Sequence, residues 1–139
     1  MRIARDERLR GRDTIHRVFE VGKSARRGRV IARFVFDGAR AVPLRIGVAA
    51  TRKIGSAVLR NRSKRLLREA ARSEGGACAA WLREHQCSAD VMLIWAGPSD
   101  AAAMTLSDIA LSVRDLFSLI VNAAPRTHED DSPRAHPAL

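Results

Sequence analysis

The side chains best suited to acid–base, nucleophilic or metal chemistry in this 139-residue chain are four histidines, two cysteines and fifteen carboxylates, and their spacing builds no active site. His16 falls on a short amphipathic helix, His85 beside Cys87, and His128 and His136 in a polar tail. No Ser-His-Asp or paired-histidine arrangement has a home there. Cys78 and Cys87 are too few for a disulfide framework and lack the close pairing of a zinc knuckle, so they read as free thiols even with His85 between them. Glu129-Asp130-Asp131 has oxygen ligands suited to Mg²⁺, but lies in a stretch that reads as solvated. There is no glycine-rich phosphate loop. Any hydrolytic chemistry must come from something the chain binds.

What the chain does carry is a run of cations at helical spacing. From Arg60 to Arg72 it reads Arg-Asn-Arg-Ser-Lys-Arg-Leu-Leu-Arg-Glu-Ala-Ala-Arg. At about 3.6 residues per turn, Leu59, Ser63, Leu66, Leu67 and Ala70 share an arc of roughly 100°, the width of a core-facing stripe. Arg60, Lys64, Arg68 and Arg72 run down the other side at spacings of four, with Arg62 and Arg65 beside them and Glu69 as the lone counter-charge. Like charges at that spacing destabilise an isolated helix, and a polyanion laid along the face removes the penalty. A solvated surface face would mix its signs; a localisation run would not interleave Leu66, Leu67, Ala70 and Ala71.

The whole-chain charge agrees. The formal net charge is +10 and the isoelectric point is near 11.4. Residues 1–72 hold 21 of the 25 basic and 6 of the 15 acidic residues, a net +15, leaving −5 for residues 73–139. The binding surface is therefore expected from the first half, with a polyanion as partner. No apolar run approaches the ~20 residues that span a bilayer, and the charged first ten residues lack a signal peptide's apolar middle. These features point to a cytoplasmic protein.

The elements that must position the cations read as follows. Asp13 is a candidate N-cap for a helix over 14–21, with Ile15, Val18 and Phe19 on one face and Gly22 ending it. A strand from Arg29 to Phe36 alternates Val30, Ala32, Phe34 and Phe36 against Arg29, Ile31, Arg33 and Val35. Residues 40–44 form a short second strand or only a connection, since Pro43 interrupts them. Arg45 to Thr51 is a clearer strand whose Gly47 and Ala49 leave one face nearly bare, open to close approach by a ligand. A basic turn then leads into the cationic helix, which breaks at 73–76. A short helix over 77–85, a buried strand over 90–96 ended by Gly97-Pro98, and a helix over 106–122 follow. Thr105 and Asp108 cap that last helix, and Leu106, Ile109, Val113, Leu116, Phe117 and Ile120 are its core face. One domain over residues 1–122 and a disordered polar tail over 123–139 are expected.

The stretch from Arg45-Ile46-Gly47-Val48 through Arg52-Lys53-Ile54-Gly55-Ser56 and Arg60-Asn61-Arg62-Ser63-Lys64-Arg65 to Arg72 closely resembles the signature of the bacterial ribonuclease P protein subunit. Val18-Phe19-Glu20-Val21-Gly22-Lys23-Ser24 and the later strand and helix follow in that family's order, so the resemblance covers about residues 5–122. It implies an α/β, sandwich-like fold, a four-stranded sheet packed with helices in the order α-β-β-β-α-(α)-β-α, with a left-handed crossover where a right-handed one is the norm. It implies a protein inactive alone, assisting a catalytic RNA that uses Mg²⁺ to hydrolyse the phosphodiester at the 5′ end of precursor tRNA. Neither a membrane nor a small-molecule cofactor is implied. Carried onto this chain, Arg60, Asn61, Arg62, Lys64, Arg65 and Arg68 would meet the catalytic RNA. Phe19, Arg52 and Lys53, with Ile15 and Arg33 at two positions where the family often has aromatics, would line a separate cleft for the 5′ leader. Phe19 also fits an ordinary packing stripe.

The departures concern that cleft. Ile15 stands where the family usually has phenylalanine, no tyrosine occurs anywhere, and Ala96-Gly97-Pro98 is neutral where the family tends to be basic. Leader contacts would then rely more on charge than on stacking. Two rivals share the composition: an RNA-binding protein of another ribonucleoprotein such as the ribosome, and a DNA-binding protein using 58–72 as recognition helix. The second lacks a convincing preceding helix and tight turn.

Overall fold

The computed structural model describes residues 7–96 and 104–125. The expected strand end at Gly97-Pro98 and the expected tail beyond Pro125 lie outside the described residues. The elements run α1 (Arg12–Val21), β1 (Lys23–Arg27), β2 (Val30–Gly38), β3 (Leu44–Ala50), a single 3-10 turn (Arg52–Ile54), α2 (Ala57–Glu74), α3 (Gly76–Glu84), β4 (Cys87–Trp95) and α4 (Leu106–Ala123). This is the expected order of helices and strands.

The four strands form one mixed sheet in the order β1-β2-β4-β3. β1 and β2 are antiparallel, as are β2 and β4, while β3 lies parallel to β4 and reaches it through α2 and α3. β4 is therefore central, which is why its nine residues carry an almost unbroken buried run. The strand alternation splits the core in two. Val30, Ala32 and Phe34 of β2, Leu44 and Ile46 of β3, and Val91, Leu93 and Trp95 of β4 join Leu66, Leu67, Ala70, Ile109, Val113, Leu116 and Ile120 in the main cluster under α2, α3 and α4. On the other sheet face, Val35 and Met92 meet Val18 of α1 and Leu9 in a much smaller cluster, flanked by the partly buried Ile15, Ala49 and Ile94.

Several local expectations are corrected. α1 starts at Arg12 behind Gly11, whose φ of 98° sets the entry, and no side chain caps it; Asp13 sits inside the first turn. Residues 40–43 form no strand. The missing strand is instead β1, an edge strand of which only Ala25 is half-buried. α2 runs on to Glu74 and passes directly into α3 at Gly76. Leu106 is exposed rather than core, while the other five residues of its stripe are buried. The Thr105 and Asp108 cap forms as a reciprocal capping box. The bare face at Gly47 is shared: a Cβ there would stand 2.5 Å from the Met92 sulfur and 3.4 Å from Leu9 Cβ, yet Gly47 and Val48 also line an open cleft. The glycine makes room for the protein's own side chains, and Leu9 donates its N–H to the Ile46 carbonyl at 2.9 Å along this sheet edge.

Candidate nucleic-acid interface

α2 is fastened by both its start and its stripe. Ser56 accepts from the Leu59 N–H at 3.2 Å, and Ser63, Leu66, Leu67, Ala70 and Ala71 are buried. Ser63 is tolerated inside because its hydroxyl donates to the Leu59 carbonyl at 2.9 Å. The opposite side leaves Asn61, Arg65, Arg68 and Arg72 exposed, with Lys64 and Arg60 half-buried. Arg60 donates to the Gly55 carbonyl at the helix start. Arg62 differs from the rest: its guanidinium donates to the Met104 carbonyl at 3.1 Å and so ties α2 to the entrance of α4. It is a tertiary link, which the placing of Arg62 beside the cationic side of the helix did not suggest.

Beside the exposed face of α2 lies a cleft of about 460 Å³. Arg65, Arg68 and Glu69 form one wall, Arg8 and Leu9 another, and Ile15 and Met92 part of its floor. This joins two sets of residues that the resemblance kept apart, because Ile15 and the arginines of α2 line one space. Phe19, Arg33, Arg52 and Lys53 are not in that lining. Phe19 is 41% exposed and not core, since Val18, fully buried, is the residue that faces the sheet. Arg33 reaches from β2 to donate to the Phe19 carbonyl, satisfying the last turn of α1. Arg52 and Lys53 are exposed on the 3-10 turn, which buried Ile54 anchors.

The second half of the geometry is a set of acidic clasps that spacing did not reveal. Arg17 of α1 forks onto Asp37 of β2 with both nitrogens at 2.9 Å. Asp90 of β4 is 1% exposed. It accepts from Arg45 at 2.9 and 3.0 Å and from Arg40 at 2.6 Å, and Arg40 also donates to the Val42 and Ala89 carbonyls. Four of the first half's cations, Arg17, Arg33, Arg40 and Arg45, are thus engaged in holding the fold. The signal for Asp90 was present in the sequence: a carboxylate opening a buried apolar strand needs a charged partner.

The Arg17 hydrogen bonds hold the Asp37 carboxyl below the usual carboxylate range. A depressed folded value means the clasp stabilises the protein above the unfolded value near pH 3.9 and is lost as pH falls through the lower folded one. With both side chains more than a third in water, the contribution is about 0.5 kcal/mol. Asp37→Asn is therefore expected to lower the urea midpoint slightly at neutral pH and to match the parent once the pH is below the depressed folded value. A deficit of equal size at both pH values would show that the charge is not what the clasp uses.

The remaining chemically able residues are quiet. Cys78 and Cys87 are buried and form no disulfide with each other, and burial pushes the Cys78 thiol up to about 12. His85 stacks on Trp81 with ring centroids 3.9 Å apart. Among the described residues no three His, Cys, Asp or Glu side chains gather where they could hold a metal ion. None of their helices is long and apolar enough to cross a membrane.

Comparison with known proteins bears on this geometry. Residues 3–121 match the family described as Ribonuclease P. A ribonuclease P protein component of Bacillus pumilus is 32% identical over 111 residues, covering 79% of this chain and 84% of that one. One from Symbiobacterium thermophilum is 46% identical over 66 residues, covering 47% of this chain, and the match spans only 56% of the relative's length. The ribonuclease P protein of Thermotoga maritima superposes with a TM-score of 0.61 at 24% identity, over 81% of this chain and 96% of that one. That of Staphylococcus aureus gives 0.60 at 22%, over 82% and 94%. With the family match running over most of the chain, the chain belongs to the ribonuclease P protein family.

Proposed function

We propose that this chain is the protein subunit of a cytoplasmic ribonuclease P, which binds a catalytic RNA and the 5′ leader of precursor tRNA to assist removal of that leader. The observation that carries the reading is the exposed cationic face of α2 bordering the 460 Å³ cleft, with Arg65 and Arg68 shared between them. Asn61, Lys64, Arg65 and Arg68 offer donors to RNA phosphates and sugars. Arg60 and Arg62 contribute from the edges of the face while holding α2 to its neighbours. Arg52, Lys53, Phe19, Ile15 and Arg33 lie around α1 and the ends of the strands, where cations and one exposed aromatic suit a single strand.

In this proposal Mg²⁺ belongs to the RNA, where it would activate the attacking water and neutralise the leaving oxygen. The described residues do not fit a Mg²⁺ site of their own. The protein's part is electrostatic: a net +15 over residues 1–72 offsets phosphate repulsion between catalyst and substrate. The DNA-binding alternative lacks its geometry, because α2 follows a strand and a single 3-10 turn rather than a helix and tight turn.

Reconstitution tests the reading. The protein alone is expected not to cleave precursor tRNA, and added to a bacterial ribonuclease P RNA it is expected to restore cleavage at Mg²⁺ concentrations where that RNA alone is inactive. Robust cleavage by RNA-free protein would refute the assignment of catalysis to RNA. No effect on the RNA enzyme would refute the subunit role.

A further inference from the structure

The strongly charged surface that the proposed sites do not use is the β1–β2 hairpin. Lys23, Arg26 and Arg27 are exposed on β1, and the strand's remaining residues are only Ser24 and Ala25. Two residues, Gly28 and Arg29, close the hairpin between the paired Arg27 and Val30, with Gly28 at φ 57° in the first central position that such turns reserve for glycine. Over that turn the guanidiniums are partly ordered: Arg26 donates its Nε–H to the Gly28 carbonyl at 3.0 Å and Arg27 one N–H to the Arg26 carbonyl at 2.8 Å. Both residues are exposed, and each guanidinium has further N–H donors beyond these bonds. Among the described residues no carboxylate pairs with Lys23, Arg26 or Arg27, in contrast to Arg17, Arg40 and Arg45.

Position in the sheet gives this patch its meaning. β1 is one edge and β3, beside α2 and the cleft, is the other. Three inter-strand spacings separate them, roughly 14 Å. The phosphates that meet α2 are therefore not the ones that meet β1. Lys23 and Arg27 are four residues apart along the strand, about 13 Å, enough to meet several phosphates of one strand. β1 itself contributes no large apolar side chain, which separates it from a membrane-binding or protein-docking surface, where cations flank an apolar anchor.

We infer that the β1 edge and its hairpin are a second RNA-backbone surface, so that the chain bridges two RNA segments, one along α2 and one along β1. The inference rests only on the RNA-binding part of the proposed function. Two linked surfaces raise the effective concentration of each segment at the other without further contacts. The competing explanation is that the cations only guard an exposed sheet edge against pairing with another copy.

The experiment uses the full chain and a short RNA duplex of arbitrary sequence as probe, with affinity followed against salt and stoichiometry by calorimetry. The parent is expected to bind two duplexes per chain. Changing Lys23, Arg26 and Arg27 to Gln should leave one, and make the log-affinity against log-salt slope shallower by about 2. Arg26→Lys with Arg27→Lys, which keeps the charge, should retain most of the binding. Arg83→Gln with Arg114→Gln, exposed cations on α3 and α4, should change neither stoichiometry nor slope appreciably. Neutralising the α2 face should remove the other duplex and leave the hairpin's, so failure of the α2 surface and failure of the hairpin surface are read separately. Unchanged stoichiometry and slope in the hairpin variant would overturn the inference. So would an equal loss in the Arg83 and Arg114 control, or self-association of the hairpin variant with RNA binding intact, the mark of edge protection alone.

Discussion

Asp90→Ala is expected to be the most destabilising single change on the sheet's α1 face, lowering the free energy of unfolding by about 3–5 kcal/mol. The carboxylate is 1% exposed in the central strand and accepts from two arginines. Removing it leaves both guanidiniums crowded beside an apolar gap. Arg45 and Arg40 can turn partly to water, with side chains 33% and 23% exposed, which favours the lower end of the range. Urea unfolding of parent and variant measures the difference. Asp90→Asn, which retains an acceptor, should lose less. A loss below about 1 kcal/mol for the alanine would mean that the ion cluster is no better than solvated, despite its burial.

The largest functional effect is expected from Lys64→Ala, Arg65→Ala and Arg68→Ala combined. Arg65 and Arg68 are exposed and line the cleft, and the buried stripe of α2 is untouched. If each lost contact contributes about 1 kcal/mol, affinity for the catalytic RNA falls roughly 10²-fold at low salt. The salt dependence becomes shallower by about 2 in the log-log slope. Thermal unfolding should barely move. Arg62→Ala behaves differently: with its bond to the Met104 carbonyl gone, part of its effect should appear as lost stability. Unchanged RNA affinity and slope in the triple variant would show that RNA does not approach α2.

Arg52→Ala with Lys53→Ala tests a different step. These residues are exposed at the C-terminal end of β3 and lie outside the shared cleft. If they hold the leader, the assembled enzyme loses affinity for precursor tRNA and keeps it for mature tRNA, which has no leader. Equal loss for both would place their action on the catalytic RNA or on folding.

Much of this molecule is legible in its sequence because the relevant forces are local. The 3.6-residue period of Leu66, Leu67 and Ala70 predicts α2 and which face is buried, since a helix registers its own amphipathicity. Thr105 and Asp108 predict the start of α4 because capping involves residues three apart. The Arg-Asn-Arg signature carries the family, and with it the strand count that the apolar pattern alone does not supply.

Tertiary structure decided the rest. β1 has no apolar alternation to read: it is a strand because β2 turns back on it across two residues, and its single half-buried alanine suffices at an edge. Gly47 was readable as a gap, and it does line the cleft, but that Met92 and Leu9 arrive from distant positions to share the space was not readable. Above all, the sequence counts cations without saying which are available. Arg40 and Arg45 share a carboxylate 50 and 45 residues away, Arg17 is paired with one 20 away, and Arg62 is drawn to a carbonyl 42 away. Composition and helical spacing determine that this is a basic chain suited to a polyanion, and the Arg-Asn-Arg signature places it in its family. Which arginines remain free to bind depends on pairings between distant positions, because Coulombic and hydrogen-bond energies follow distance in space rather than along the chain.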